Sequence, residues 1–203
     1  MGTAMNRRAA IRSLAAGGLG AAAVPLWVDT LSALAREQGP HAHAVVAQAA
    51  QAAQSGAWTP KVLNAHQAAT VAALCELIIP ETDTPGAKAA LVDRFVDQVL
   101  SEAPAADRRR FLQGLAWMDT RTKLLFGRDF VSASATQQSD FLTRLSADKS
   151  PEAPSGVDFF TAIKLMTIAG YYTTEIGLHQ ELADDGVLAQ AGFEGCTHPE
   201  HQM

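Results

Sequence analysis

Two stretches of the chain gather the residue types that do chemistry. The first is CELIIPETDTPGAKAA, residues 75–90, where Glu81 and Asp83 lie between Pro80 and Pro85 and Gly86 follows. Two carboxylates this close could hold a metal ion or share acid–base work, provided that a pocket shifts their pKa values. The second is GCTHPEH, residues 195–201, where Cys196, His198 and His201 bring soft and borderline metal ligands together. A closed zinc site needs a fourth ligand and a rigid frame, which a segment so near the chain end does not supply by itself. His41 and His43, in an alanine-rich stretch, make at best a weak adventitious metal pair. Tyr171 and Tyr172 adjoin on an apolar segment. They could stack on a sugar or a flavin, or serve as core with their hydroxyls turned to polar partners.

Other chemistries find no support. GLGAAA, residues 18–23, matches the Gly-x-Gly-x-x-Ala dinucleotide pattern, but no strand precedes it. The chain has no phosphate-binding Gly-x-x-x-x-Gly-Lys loop, no Cys-x-x-Cys-His for covalent haem and no nucleophile elbow around a serine. A formal net charge of −5, with no block of lysine and arginine, argues against a nucleic-acid binder. At 203 residues, 48% hydrophobic and 18% charged, the chain has the composition of one folded domain, and its many alanines favour helix.

The N-terminal region reads as an export signal, with an ordinary amphipathic or anchor helix as the alternative. Arg7 and Arg8 stand in tandem, followed by Ile11, Arg12 and an alanine–glycine apolar run. The segment resembles a twin-arginine leader, with Ala10 departing from the aromatic position of that pattern. The run from Leu14 to Val28 is shorter than the ~20 residues a membrane span needs, and Pro25 interrupts it. Ala33-Leu34-Ala35 offers an Ala-x-Ala cleavage site. Residues 1–35 are therefore expected to be the leader, and their removal takes the net charge from −5 to −7. The twin-arginine route carries folded cargo, and the destination, the periplasm, is oxidising enough for disulfides to persist.

The remaining chain must position whatever the two stretches do. Residues 36–63, rich in alanine, glutamine and histidine, read as a linker or loose arm, and residues 64–203 as the helical domain. Asn64-x-x-Gln67 resembles a capping box, and Val71, Leu74, Cys75 and Ile78 repeat at helical spacing until Pro80. A second helix is expected from Ala87 with Val92, Phe95, Val96, Val99 and Leu100 on one stripe, and a third over residues 107–126 ending at Gly127. Ser134-x-x-Gln137 opens a fourth. DKSPEAPSG, residues 148–156, reads as a loop, after which Asp158 caps a fifth helix that is apolar nearly all round. No segment alternates as a strand does, so the expected fold is all-α: an irregular bundle of about five helices with a long N-terminal arm and an extended C-terminal tail.

In that frame the corner at residues 80–86 has a structural reading: Pro80 stops one helix, the chain turns, and Asp83 or Thr84 caps the next. Gly86 is then a candidate for positive φ. Cys75 faces inward, as a small hydrophobe does. Cys196 is left over, which in an exported chain suggests an intermolecular bond. A metal site with His198 and His201, an internal bond to Cys75 and a free thiol remain the alternatives.

Three separated motifs carry a resemblance. LIIPETDTPGAKAA at residues 77–90, FFTAIKLMTIAGYYTTEIG at residues 159–177 and FEGCTHPEH at residues 193–201 resemble, in order and spacing, the gluconate 2-dehydrogenase subunit 3 family. The resemblance implies a non-catalytic small subunit, holding no cofactor itself, of a periplasmic sugar dehydrogenase. Its large partner would be a glucose–methanol–choline oxidoreductase holding FAD, and a cytochrome c with haem could take the electrons. The small subunit would carry the export signal for that partner, support its folding and meet the membrane only through the complex. The corner motif leans toward glucoside 3-dehydrogenases, whereas the 36–60 arm departs from shorter members. The competing class is a free-standing periplasmic metal-binding protein or metalloenzyme built on Cys196, His198 and His201, or on Glu81 and Asp83 with those histidines.

Overall fold

The computed structural model describes residues 24–38, 58–147, 150 and 152–184. These residues form an all-α bundle: α1 Leu26–Gln38, α2 Ala65–Ile78, α3 Val92–Glu102, α4 Ala105–Phe126, α5 Ala135–Leu145 and α6 Pro154–Tyr171. A π-helical turn, Ile176–Glu181, follows α6.

Local signals set most of the boundaries. The Asn64 side chain accepts from the Gln67 amide at 2.9 Å while Gln67 Oε1 accepts from the Asn64 amide at 3.0 Å, a reciprocal capping box. Ser134 and Gln137 repeat it at the start of α5. Gly127, at φ 74, ends α4 in the left-handed conformation that glycine adopts freely. Two expected starts move. The segment expected to be helical from Ala87 is a series of turns, and α3 begins at Val92 after Leu91, itself left-handed at φ 55. Helix α6 begins at Pro154 rather than at Asp158, because proline is pre-set for the first helical position and needs no hydrogen bond there.

Helix α6 is the axis of the bundle and packs against each of the other five. Phe159, Ile163, Met166 and Tyr171 are fully buried along it, each burial contributing about 1.5–3 kcal/mol. Phe159 meets Phe111 of α4 with ring centroids 5.1 Å apart. The two helices approach so closely that a Cβ on Gly114 would lie 2.4 Å from the Phe159 ring. Helix α1 is the largest departure from the sequence reading. Its Val28, Leu31 and Ala35 are fully buried against α6, α3 and α4, although the segment was expected to be the end of a leader and the start of a linker. At the other end of the expected linker, Leu63 is buried and Arg94 lies 4.7 Å over the Trp58 ring.

Three polar ties join elements distant in sequence. Asp97, 2% exposed on α3, accepts from the backbone amides of Lys61, Val62 and Leu63 at 2.6, 3.0 and 2.9 Å, fixing the entry to α2. His66 Nε2 of α2 lies 2.6 Å from Asp119 Oδ2 of α4, and Asp119 Oδ1 accepts from the Phe130 amide. Glu152, just before α6, takes Arg121 Nε at 2.6 Å and Arg144 Nε at 3.0 Å, joining α4 and α5.

The Glu152 tie sets an acid sensitivity. Hydrogen bonding to Arg121 above all, opposed by burial and aided by Arg144, holds the Glu152 carboxyl below its ordinary 4.5. The unfolded chain therefore takes up this proton first, so the contribution to stability is complete above about pH 4.5 and is lost as pH falls through the lower folded value. Thermal melting between pH 6 and pH 3 should show the wild type losing more stability than Glu152→Gln; parallel curves would rule the tie out as the acid-sensitive element.

Candidate functional site

The 80–86 corner is held from behind by residues outside it. Glu76, in the last turn of α2, reaches past the proline: its Oε1 accepts from the Glu81 amide and its Oε2 from the Lys88 amide, both at 2.9 Å. One carboxylate thus binds the two sides of the turn together. The Ala87 amide donates to the Ile79 carbonyl at 2.9 Å, closing the loop at its neck. From α6, the fully buried Tyr171 donates its hydroxyl to the Pro85 carbonyl at 2.7 Å. From the π-helical turn, Glu181 accepts from the Thr84 hydroxyl.

Gly86 is required by this arrangement, though not for the expected reason. It is not at positive φ; a Cβ there would lie 2.6 Å from both Glu76 Oε1 and the Glu81 amide nitrogen. The glycine makes room for the carboxylate that ties the corner. Pro80, Glu81 and Asp83 face solvent, and Pro85 is half-buried. The Asp83 carboxylate accepts from the Thr82 hydroxyl at 2.7 Å. Neither Asp83 nor Thr84 caps α3, which starts several residues later.

The structure does not bring Glu81 and Asp83 together with other ligands: among the described residues no group of three or more histidines, cysteines, aspartates or glutamates could hold a metal ion. Tyr171 and Tyr172 meet edge to face with centroids 5.2 Å apart, Tyr171 serving as core with its hydroxyl on the corner. Cys75 lies under the corner, fully buried, accepting a contact from the Thr167 hydroxyl at 3.3 Å. Burial pushes its thiol up to about 12 and leaves the sulfur no exposed surface. Arg7, Arg8, His41, His43, Cys196, His198 and His201 lie outside the described residues.

An open groove of about 430 Å³ between α1, α4 and α6 is lined by Trp27, Arg110, Gln113, Trp117 and Asp158. Burial raises the Asp158 carboxyl from its ordinary value. Among the described residues no helix is long and apolar enough to cross a membrane.

The corner is legible in the sequence, but its clasp is not. Glu76 stands at a half-buried helical position and carries no motif, and Glu181 lies 97 residues from Thr84. The one available signal was the small residue at Gly86, which marks a close approach.

The corner's two sets of carboxylates should behave oppositely. Glu76→Ala strips the acceptor from two backbone amides and is expected to cost about 2 kcal/mol, whereas Glu81→Gln, at an exposed position, should change stability by less than about 0.5 kcal/mol. Urea unfolding of the purified chain measures both. Equal effects would mean that Glu76 does not hold the turn.

Comparison with curated proteins and with solved structures gave no match. The family model described as gluconate 2-dehydrogenase subunit 3 matches residues 65–185, from the start of α2 to just past the π-helical turn. That span covers more than half of the chain and includes the corner with everything that clasps it. The chain belongs to the gluconate 2-dehydrogenase subunit 3 family.

Proposed function

We propose that this chain is the non-catalytic small subunit of a periplasmic, FAD-dependent sugar dehydrogenase whose large subunit is of the glucose–methanol–choline type. The observation that carries the reading is the family match across residues 65–185. The tandem Arg7-Arg8 ahead of a short, weakly apolar run supports export by the twin-arginine route. In this reading the chain supplies the export signal for a folded partner, assists that partner's folding and stays bound to it. The flavin belongs to the large subunit, a cytochrome c is the candidate electron acceptor, and a glucoside is the favoured substrate class.

Residues 193–201, beyond the described part, are proposed to lie on the large subunit, with Cys196 forming a disulfide to it. An internal partner for Cys196 is disfavoured, because Cys75 is sealed beneath α6 and could be reached only by opening the core. Formation of the bond takes two electrons and two protons from the two thiols, delivered to the disulfide-forming oxidants of the compartment. The linkage would make dissociation of the complex an intramolecular event and so hold it together on dilution.

Two measurements check the proposal. Replacing both Arg7 and Arg8 with lysine should abolish dehydrogenase activity in the periplasm while leaving total enzyme protein present; unchanged periplasmic activity would end the idea of a shared leader. On non-reducing electrophoresis the purified complex should show a reducible band at the summed mass of the two subunits. That band should vanish in Cys196→Ser. Its absence from the parent complex would exclude the bridge.

A further inference from the structure

The Ala33-Leu34-Ala35 motif, which reads as a processing site in the sequence, lies within the last turns of α1. A protease that reads the small residues at the first and third positions before a scissile bond needs them in extended form and reachable. Here Ala35 is fully buried and its backbone is helical. Hydrolysis of the bond to Arg36 would require α1 to leave the bundle and unwind.

Three observations make that departure costly, and a fourth places the start of α1. Val28, Leu31, Ser32 and Ala35, at successive helical spacings, are all buried, the three apolar ones completely. Their face lies against α6, α3 and α4, so α1 is the lid on three helices rather than an appendage to one. Gln38 Nε2 donates to Glu102 Oε2 at 2.7 Å, fastening the far end of α1 to the end of α3. At the near end the Pro25 carbonyl accepts from the Val28 amide at 2.8 Å, so the helix starts immediately after the proline that interrupts the apolar run.

We infer that α1 is not discarded with the leader: residues 26–38 remain in the exported protein as a permanent part of its core, and the fold shields the Ala35–Arg36 bond from processing. The boundary between leader and domain is then at Pro25. The processing half of this inference rests on the export route proposed above. In that route folding precedes processing, so a site hidden by folding is hidden when the peptidase is met. The packing half stands on the geometry alone.

The test uses the full chain, with its leader, produced in an export-competent bacterial host and recovered from the periplasmic and membrane fractions. Intact-mass measurement and N-terminal sequencing should give a chain that begins no later than Leu26. A chain beginning at Arg36, or anywhere within residues 27–38, overturns the inference. Failure to find the chain outside the cytoplasm counts against the export reading instead, and the inference is then decided by melting the full chain. Leu31→Ala is expected to lower Tm by about 5–15 °C, and Leu26→Ala, at a position 84% exposed, by no more than about 2 °C. Should Leu31→Ala not fold, Leu31→Val takes its place with an expected fall of roughly 2–5 °C. Melting points indistinguishable from wild type at both positions would mean that α1 is not part of the core.

Discussion

A helix that is apolar on almost every side has to be enclosed on every side, and α6 imposes that requirement on the whole chain. Gly156, Phe159, Phe160, Ala162, Ile163, Met166, Thr167, Gly170 and Tyr171 are all buried, which leaves no broad face for water. Among the described residues, five helices surround it. Four of them come from the region that sequence periodicity marks as the domain; the fifth, α1, comes from the segment that looks like the end of a leader. The enclosure also brings α6 helix-to-helix against α4 at Gly114, where a side chain would fill the space taken by Phe159. Loss of any one wall would leave apolar surface of α6 facing solvent, and that cost falls on the entire bundle because every wall rests on the same axis.

The capping boxes at Asn64 and Ser134, the glycine stop at Gly127 and the apolar stripe from Val92 to Leu100 were all legible, because each is a local pattern whose physics operates within a few residues. Helix α1 was not. Its Trp27, Val28, Leu31 and Ala35 have helical spacing, but the same residues satisfy the composition of an export signal, and composition cannot distinguish a segment that docks from one that is removed. The start of α6 was missed for a related reason: a proline in a polar stretch reads as a breaker unless its use at the first helical position is considered. Of the site, the corner was visible and the clasp was not. Glu76 acts on amides 5 and 12 residues away, and Tyr171 on a carbonyl 86 residues away. Contacts at those separations are a product of the fold and leave no trace in spacing.

The corner therefore has a back and a front with different duties. Glu76 and Tyr171 fix the backbone from within, Gly86 leaves room for the Glu76 carboxylate and Glu181 holds the Thr84 hydroxyl, while Glu81 and Asp83 stand outside. A turn so fixed presents its exposed groups in one arrangement, which lowers the conformational entropy lost when another surface meets it.

Cys75 gives the core a clock of its own. With burial pushing its thiol up to about 12 and no exposed surface, it is held as the thiol and out of reach of a reagent. Alkylation must wait for α2 to swing away from Thr167 on α6. In a Cys196→Ser background, labelling with enough reagent to outpace reclosing then reports the rate of those excursions while the protein is otherwise native. The residue that does least in the folded state thus becomes the means of timing how often that state comes apart.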